Sequence, residues 1–531
     1  MAPVCLSTMS GLVYPPQRLV ISRSLSLFFG LISSCTFNHS RGTSSTSSSP
    51  QDIDTPCCTR HIMLFHGQPE TWTRGARMSS TKTLPEGLEA DLKGAPCPPA
   101  LLRWLASLPD DLLAVLQTLA EDGAGTWLVG GCVRDAWLGK ASVDIDLCTT
   151  CTPERMLTLF GDQAIPTGLD FGTVTIKGVG RHYEVTTLRT ESLYRDGRRP
   201  EKVSWGTSLS EDLSRRDFTF NSMAVDVARQ AVYDPYNGIA DLQKRCIRAV
   251  GDANLRCQED ALRILRAYRF MRRDEGPLWN IDHALEAALS QHSTRLRMVA
   301  IERRWMEMEK ILKGQRPGEV LEKMQSDGVL RYVLEEFAVV NPHLFTVLDD
   351  SDLNHLSLTQ RLALLMLEYP TKEAVKQMEA LRTSKALQRT TATFHEQLGH
   401  LPTPLKPELR VFNHILGNEA KAHLSILRSC CNHSINLHTG LALQAKTVNE
   451  VIERWTALNG SLEPVSPLVD GHWIMARTGA VEGKRLGRLK GWLHRIQIEE
   501  EITELSGMEA ALSRLPFEHG SPEDWPSVSF P

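Results

Sequence analysis

Asp144 and Asp146 stand on either side of Ile145 in ASVDIDLCTT (141–150). In an extended strand, residues two apart point to the same side, so both carboxylates are expected to face one point. Such a pair repels unless a cation lies between its members, and all-oxygen ligation suits Mg²⁺ better than Zn²⁺. Phosphoryl transfer is the reaction class that most needs this arrangement, often with two ions gripping the attacking and leaving oxygens. An Asp-x-Asp is also common in turns and at exposed strand ends, where it binds nothing, so the residues upstream decide the reading.

Those residues are LVGGCVRDAWLGK (128–140). Leu128–Gly131 reads as a short buried strand ending in Gly130-Gly131, and the segment from Val133 onward opens a helix. Glycines at a strand-to-helix turn let backbone N–H groups approach an anion. The spacing is not that of a dinucleotide fingerprint, and no Gly-Lys-Ser/Thr loop occurs. What remains is a phosphate-facing turn at Gly131, a positioned Arg134, and two aspartates ten and twelve residues later.

This combination resembles the nucleotidyltransferase core of the polymerase-beta superfamily, and within it the class II tRNA nucleotidyltransferases, the CCA-adding enzymes. The similarity continues through TGLDFGTVTI (167–176), HYEVTTLRTESLYRDGRRPEKV (182–203), EDLSRRDFTFNSMAVD (211–226), VYDPYNGIADLQKRCIRAVG (232–251) and QEDALRILRAYRF (258–270), in the family's order. It covers about Trp127–Arg272 and is weaker in IERRWMEMEKIL (301–312); MRRDEGPLWNIDHAL (271–285) departs from the family's continuation. The resemblance implies transfer of CMP and AMP from CTP and ATP to a tRNA 3′ end, with two Mg²⁺ ions held by Asp144 and Asp146.

The segment 258–270 can also be read from its chemistry. Cytosine and adenine each present an amino donor beside a ring-nitrogen acceptor, which a carboxylate and a guanidinium complement. Asp260 and Arg263, three apart, are expected on one face of a continuous helix. Uracil and guanine would leave that pair with unmatched buried polar groups. Arg266 and Arg269 continue the spacing as a basic stripe, with Ile264, Leu265 and Phe270 expected on the other side. A solvated face is the usual fate of such a stripe; with Asp260 at its head, a triphosphate or RNA backbone is the better partner.

Arg216-Asp217 precedes Phe218, Phe220 and Met223, at the edge of an apolar segment where a structural salt bridge would also fit. The resemblance places Arg216 and Asp217 near the sugar and phosphates, with Asn221 in support, a set able to read a ribose 2′-OH. It leaves Gly131, Arg134 and Arg216 as the phosphate clamp. Glu184, in the strand-like HYEVTTLR, is the candidate third carboxylate, with an ordinary exposed strand residue as the competing reading.

Other apparent motifs fall away. His395-Glu396 and His400 are mis-spaced for a zincin helix, and Cys148-x-x-Cys151 lacks a second pair. Twelve cysteines in 531 residues, in no regular framework, fit a reducing compartment and buried thiols. The net charge of −4 does not advertise a nucleic-acid binder, but residues 471–495 concentrate Arg477, Lys484, Arg485, Arg488, Lys490 and Arg495 against Glu482 alone. That patch is the candidate tRNA-backbone grip, with a solvated helix as the bland alternative.

The first 51 residues contain no Asp or Glu and run into a serine-rich stretch, the composition of a mitochondrial or plastid transit segment, with Met63 and Met78 as later starts for a cytosolic or nuclear form. The apolar stretch Leu25–Ile32 is too short to span a bilayer. The expected organisation is a leader (1–85), an α+β head with a mixed sheet and helices (86–252), a helical neck (253–330), a helical body (331–460) and a basic helical tail (461–531). A poly(A) polymerase of the same class, an enzyme adding only CC or only A, and a noncatalytic RNA-binding protein on the same fold are the competing functions.

Overall fold

The computed structural model describes residues 84–530 except Val143, 192–202, Arg273, Glu275, 335–340 and 459–464. The expected leader through residue 83, with Met63 and Met78, and most of the loop leading to Pro200 lie outside the described residues.

The head is built on a mixed sheet of short strands. In chain order these are β1 (Ala95–Pro96), β2 (Thr126–Val129), β3 (Asp146–Thr149), β4 (Ala164–Gly168), β5 (Thr173–Lys177), β6 (His182–Thr187), β7 (Arg189–Glu191), β8 (Val203–Trp205), β9 (Ala224–Asp226) and β10 (Ala231–Tyr233). Eight of them form one sheet in the order β1-β10-β9-β2-β3-β6-β5-β4, and β7 and β8 pair as a separate hairpin. Within the large sheet β3 and β6 run parallel and the other neighbours antiparallel, which sets Asp146 directly opposite Glu184.

Alternation along the strands fills both sides of this sheet. Leu128, Leu147 and Val185 enter the main core with Leu112, Leu116 and Leu119 of α2 (Asp110–Glu121), which follows α1 (Pro99–Leu105). Trp127, Val129 and Cys148 point the opposite way, onto Leu209 and Leu213. The remaining head helices are α3 (Gly131–Trp137), α4 (Pro153–Phe160), α5 (Leu209–Ser214) and α6 (Gly238–Gln243). Large β-branched and aromatic side chains on a period of two favour this two-sided burial over a helix.

From residue 253 the chain is helical almost throughout, as the apolar spacing predicts. The neck contains α7 (Ala253–Glu259), α8 (Leu262–Phe270), α9 (His283–His292), α10 (Ile301–Lys313) and α11 (Pro317–Ser326). Among the described residues its strand is Asn280–Ile281, which pairs in parallel with Cys246–Ile247 and ties the unusual 271–285 segment to the end of the head. One continuous core runs from the head through neck and body, for example from Val174 through Leu265 and Met308 to Leu362. The tail helices Gly471–Thr478, Lys484–Glu500 and Leu505–Arg514 pack a core of their own around Ile474, Leu489, Leu493 and Met508. No helix among the described residues is long and apolar enough to cross a membrane.

Candidate active site

The turn after β2 is shaped by the arginines around it. Gly130 has φ of 74°, which disfavours other residues, and a Cβ there would sit 2.8 Å from Nη1 of Arg216. Gly131 is already the first residue of α3 rather than the end of a strand. Arg134, one turn on, is buried. Its Nε and Nη2 donate to the two carboxylate oxygens of Asp135, each at 2.9 Å, and Nη1 donates to Oδ1 of Asn221.

Asp144 precedes β3 and Asp146 opens it, so only the second aspartate is a strand residue. Both are exposed with Ile145 buried between them, and both line the same cavity. The Asp146 carboxyl is raised above the ordinary range, first by desolvation at the cavity wall and then by the facing Glu184 and nearby Asp144 carboxylates, against the pull of Arg216. Among the described residues the side chains of Asp144, Asp146 and Glu184 form no hydrogen bond or ion pair. Uncompensated like charges at one point fit a divalent cation as counter-charge. No group of three or more His, Cys, Asp or Glu among the described residues is placed to hold a metal, so Glu184 neighbours the aspartate pair without completing a ready triad.

Two buried aspartates organise the arginines behind this pair. Asp212, which sequence reading missed, accepts from Nη2 of Arg216 at 2.9 Å through one oxygen and from Nε of Arg215 at 3.1 Å through the other. Asp217 accepts from Nε and Nη2 of Arg266 at 2.8 and 2.5 Å, and from the Asn221 amide at 2.9 Å. Burial pushes both carboxyls up, but the guanidinium partners outweigh it and hold each at about 2. Asp217 and Arg266 therefore join head to neck while lining the cavity.

The expectation of one continuous helix through Asp260 and Arg263 is corrected. The backbone leaves the helix at Asp260 (φ −146°, ψ 104°), between α7 and α8. Oδ1 of Asp260 accepts the Leu262 N–H at 3.0 Å, a helix-capping use of the carboxylate that competes with helix continuation. Arg303 of α10 reaches across, with Nη2 2.8 Å from Oδ2 and Nη1 3.4 Å from Oδ1. Arg263 turns to Glu259 at 2.7 Å and to the carbonyls of Arg256 and Arg215 at 3.0 and 2.8 Å. Both side chains still line the cavity. A carboxylate has about four acceptor sites and a guanidinium five N–H donors, so each retains capacity for a nucleobase edge beyond these bonds.

The basic stripe of α8 is divided among acids: Arg263 to Glu259, Arg266 mainly to Asp217 and more distantly, at 3.9 Å, to Glu307, and Arg269 to the buried Glu307 at 2.6 Å. Phe270 does not lie on the side away from the arginines, as expected. Its buried ring is 5.2, 5.8 and 4.2 Å from the guanidinium carbons of Arg134, Arg266 and Arg269. Phe218, Phe220 and Trp279 pack on the same aromatic cluster, with centroids 5.2 to 6.0 Å apart. Arg303, Glu307 and Lys310 were missed as site residues; their i, i+4, i+7 spacing on α10 is the signal that one helical face carries them.

The resulting cavity has a volume of about 820 Å³ and gathers Asp144, Asp146, Gly131, Arg134, Arg216, Asp217, Asn221, Asp260, Arg263, Arg266 and Arg269. Eight basic side chains line it against five acidic ones, a balance suited to a polyanion. The tail patch lies elsewhere. Arg477 pairs with Glu509 at 2.7 Å and stacks on Trp473, and Arg485 lies over Trp525, whereas Lys484, Arg488 and Lys490 have no ion pair among the described residues.

Residues 126–248 match the family described as the poly A polymerase head domain, and 280–340 the one described as the probable RNA and SrmB- binding site of polymerase A. The CCA-adding enzyme of Levilactobacillus brevis is 43% identical over 218 residues, 41% of this chain and 54% of that protein. That of Limosilactobacillus reuteri is 40% identical over 231 residues, 44% of this chain and 56% of that protein. The chain thus spans about half the length of the curated relatives it matches. The Bacillus stearothermophilus CCA-adding enzyme in complex with CTP has the same fold, with a TM-score of 0.56 at 24% identity over 78% of this chain and 98% of that one. So does the Thermotoga maritima CCA-adding enzyme complexed with tRNA, with a TM-score of 0.51 at 18% identity over 77% and 98%.

Proposed function

We propose that this chain, whose residues 126–248 match the poly A polymerase head domain, adds CCA to the 3′ end of tRNA from CTP and ATP without a template. The observation that carries this reading is one cavity holding both the Asp144–Asp146 pair and the Asp260–Arg263 pair. The first suits phosphoryl transfer; the second complements the edge shared by C and A.

Asp144 and Asp146 would hold the divalent cations, two Mg²⁺ in this reading, which supply Lewis acidity toward the 3′-hydroxyl and counter-charge for the triphosphate. The residues of the chain do the rest. Arg134 and Arg216, fixed by Asp135 and Asp212, present guanidinium groups to phosphate oxygens beside the Gly130–Gly131 turn. Asp217 and Asn221 face the ribose. Asp260 accepts from the exocyclic amino group, and Arg263 donates to the ring nitrogen. The 3′-oxygen forms a bond to the α-phosphorus, the bond from that phosphorus to the bridging oxygen breaks, pyrophosphate leaves, and the hydroxyl proton passes to solvent.

The test is incorporation of labelled CTP into tRNA lacking its 3′ end, with Mg²⁺, by the wild-type chain and by Asp146→Ala. Incorporation lost in the variant while fluorescent tRNA binds both proteins equally supports the reading. Incorporation retained in the variant removes the aspartate pair from the chemistry, and none by the wild type leaves the noncatalytic RNA-binding alternative.

A further inference from the structure

α3 borders two separate spaces. Arg134 looks into the active-site cavity; Trp137, three residues on, lines a second groove of about 500 Å³ between α1 and α3. Ala141 borders both spaces, so the groove opens beside the cavity along the chain that leads to Asp144. Trp104 of α1 lines it as well.

Both indoles pack one side against the main core and keep part of their surface exposed. Leu101 and Leu105 bury α1, and Cys132, Val133 and Ala136 bury α3, while Trp104 and Trp137 are only half-buried. Arg103 and Lys140 are exposed on the lining, which contains no acidic side chain. Arg103 forms no hydrogen bond or ion pair among the described residues. The volume falls within the range of about 300–1,000 Å³ usual for small-ligand sites.

Resting on the function proposed above, we infer that this groove is a stacking site for one unpaired nucleobase of the acceptor RNA strand, with Arg103 and Lys140 taking the flanking phosphates. Every base has a π-face, so indole stacking tolerates sequence differences among tRNA acceptor ends, as a template-free enzyme needs. The shared border at Ala141 puts the stacked nucleotide beside the cavity, next to the reacting 3′ end, and the positive rim complements the RNA backbone rather than an apolar peptide.

The test compares Arg103→Glu, Trp137→Leu and Trp137→Phe with the wild-type chain in two assays. One is the KM for tRNA lacking its 3′ end against the KM for CTP; the other is anisotropy of a fluorescent tRNA without nucleotide. Stacking is worth about 1–3 kcal/mol per base, so Trp137→Leu should raise the tRNA KM and Kd about fivefold or more, with Trp137→Phe restoring most of it and the CTP KM unmoved. Arg103→Glu, at an exposed position, should weaken tRNA in the same way. Unchanged tRNA KM and Kd in both Arg103→Glu and Trp137→Leu overturn the inference, as does a Trp137→Leu defect that Trp137→Phe fails to rescue. If the wild-type chain transfers no nucleotide, the functional reading fails, and the anisotropy series still decides the groove.

Discussion

Arg303 holds Asp260 from a different helix, with Nη2 2.8 Å from Oδ2, although the two residues lie 43 positions apart in the chain. In the proposed function, the geometry of base choice would therefore rest on α10 as much as on the segment that carries Asp260. Hydrogen bonds to charged groups contribute about 1.5–3 kcal/mol, so Arg303→Ala should reduce discrimination of CTP and ATP against UTP and GTP by about tenfold or more. Competition assays with mixed triphosphates measure this, and unchanged selection would separate Arg303 from base choice.

Gly130→Ala tests the turn. At φ of 74° a Cβ costs about 1–2 kcal/mol, and here it would also meet Nη1 of Arg216 at 2.8 Å. The variant should fold with a lowered melting temperature and lose most of its affinity for triphosphate, because Arg216 must move. Triphosphate affinity equal to wild type would show that Arg216 is not a phosphate ligand.

Acid should loosen the body before the head. Burial pushes His395 down to about 4, assisted by the His438 ring stacked 4.6 Å away and opposed by the bond to the Met366 carbonyl; burial also takes His423 to about 4. In the unfolded chain each histidine protonates near its ordinary value of about 6.5, so the unfolded state gains protons first as pH falls. Stability present above pH 6.5 is thus lost toward pH 4, at up to about 1.4 kcal/mol per pH unit per histidine. Asp212 and Asp217 behave as depressed carboxyls: their contribution is present above the ordinary aspartate range and is lost as pH falls toward about 2. Calorimetric melts at pH 7 and pH 5 should show His395→Gln losing less than the wild-type chain; equal losses would mean that His395 does not set the acid limb.

Lys484 and Arg488 are the part of the tail patch that is exposed and has no ion pair among the described residues. If they touch the tRNA backbone, reversing both to Glu should weaken tRNA binding several-fold and lower the slope of log K against log salt by about two. An unchanged slope would leave these side chains as a solvated surface.

Much of the site was readable from the sequence because its signals are local. Asp144 and Asp146 are two residues apart, Gly130 and Arg134 span one helical turn, and Arg216, Asp217 and Asn221 share a short stretch that folds on itself. The break at Asp260 contains neither Pro nor Gly; its only local signal is an aspartate able to cap the Leu262 N–H, and its other partner, Arg303, is one that only tertiary structure supplies. Phe270 was misplaced for a related reason: helical spacing separates apolar from charged faces, yet a ring under several guanidinium groups serves both. Strand β1, Ala95–Pro96, carries no pattern and pairs with Val232 and Ala231, the free edge of β10.

If one cavity performs the transfer and chooses C and A from side chains alone, the chain given tRNA ending before the tail, after the first C, or after CC should complete CCA on all three acceptors when CTP and ATP are both present, and add A to the CC end from ATP alone, as sequencing of the products shows. Long adenylate tails, arrest at CC or at a single added A, or incorporation of UTP as readily as CTP would show that the cavity does not work in this way.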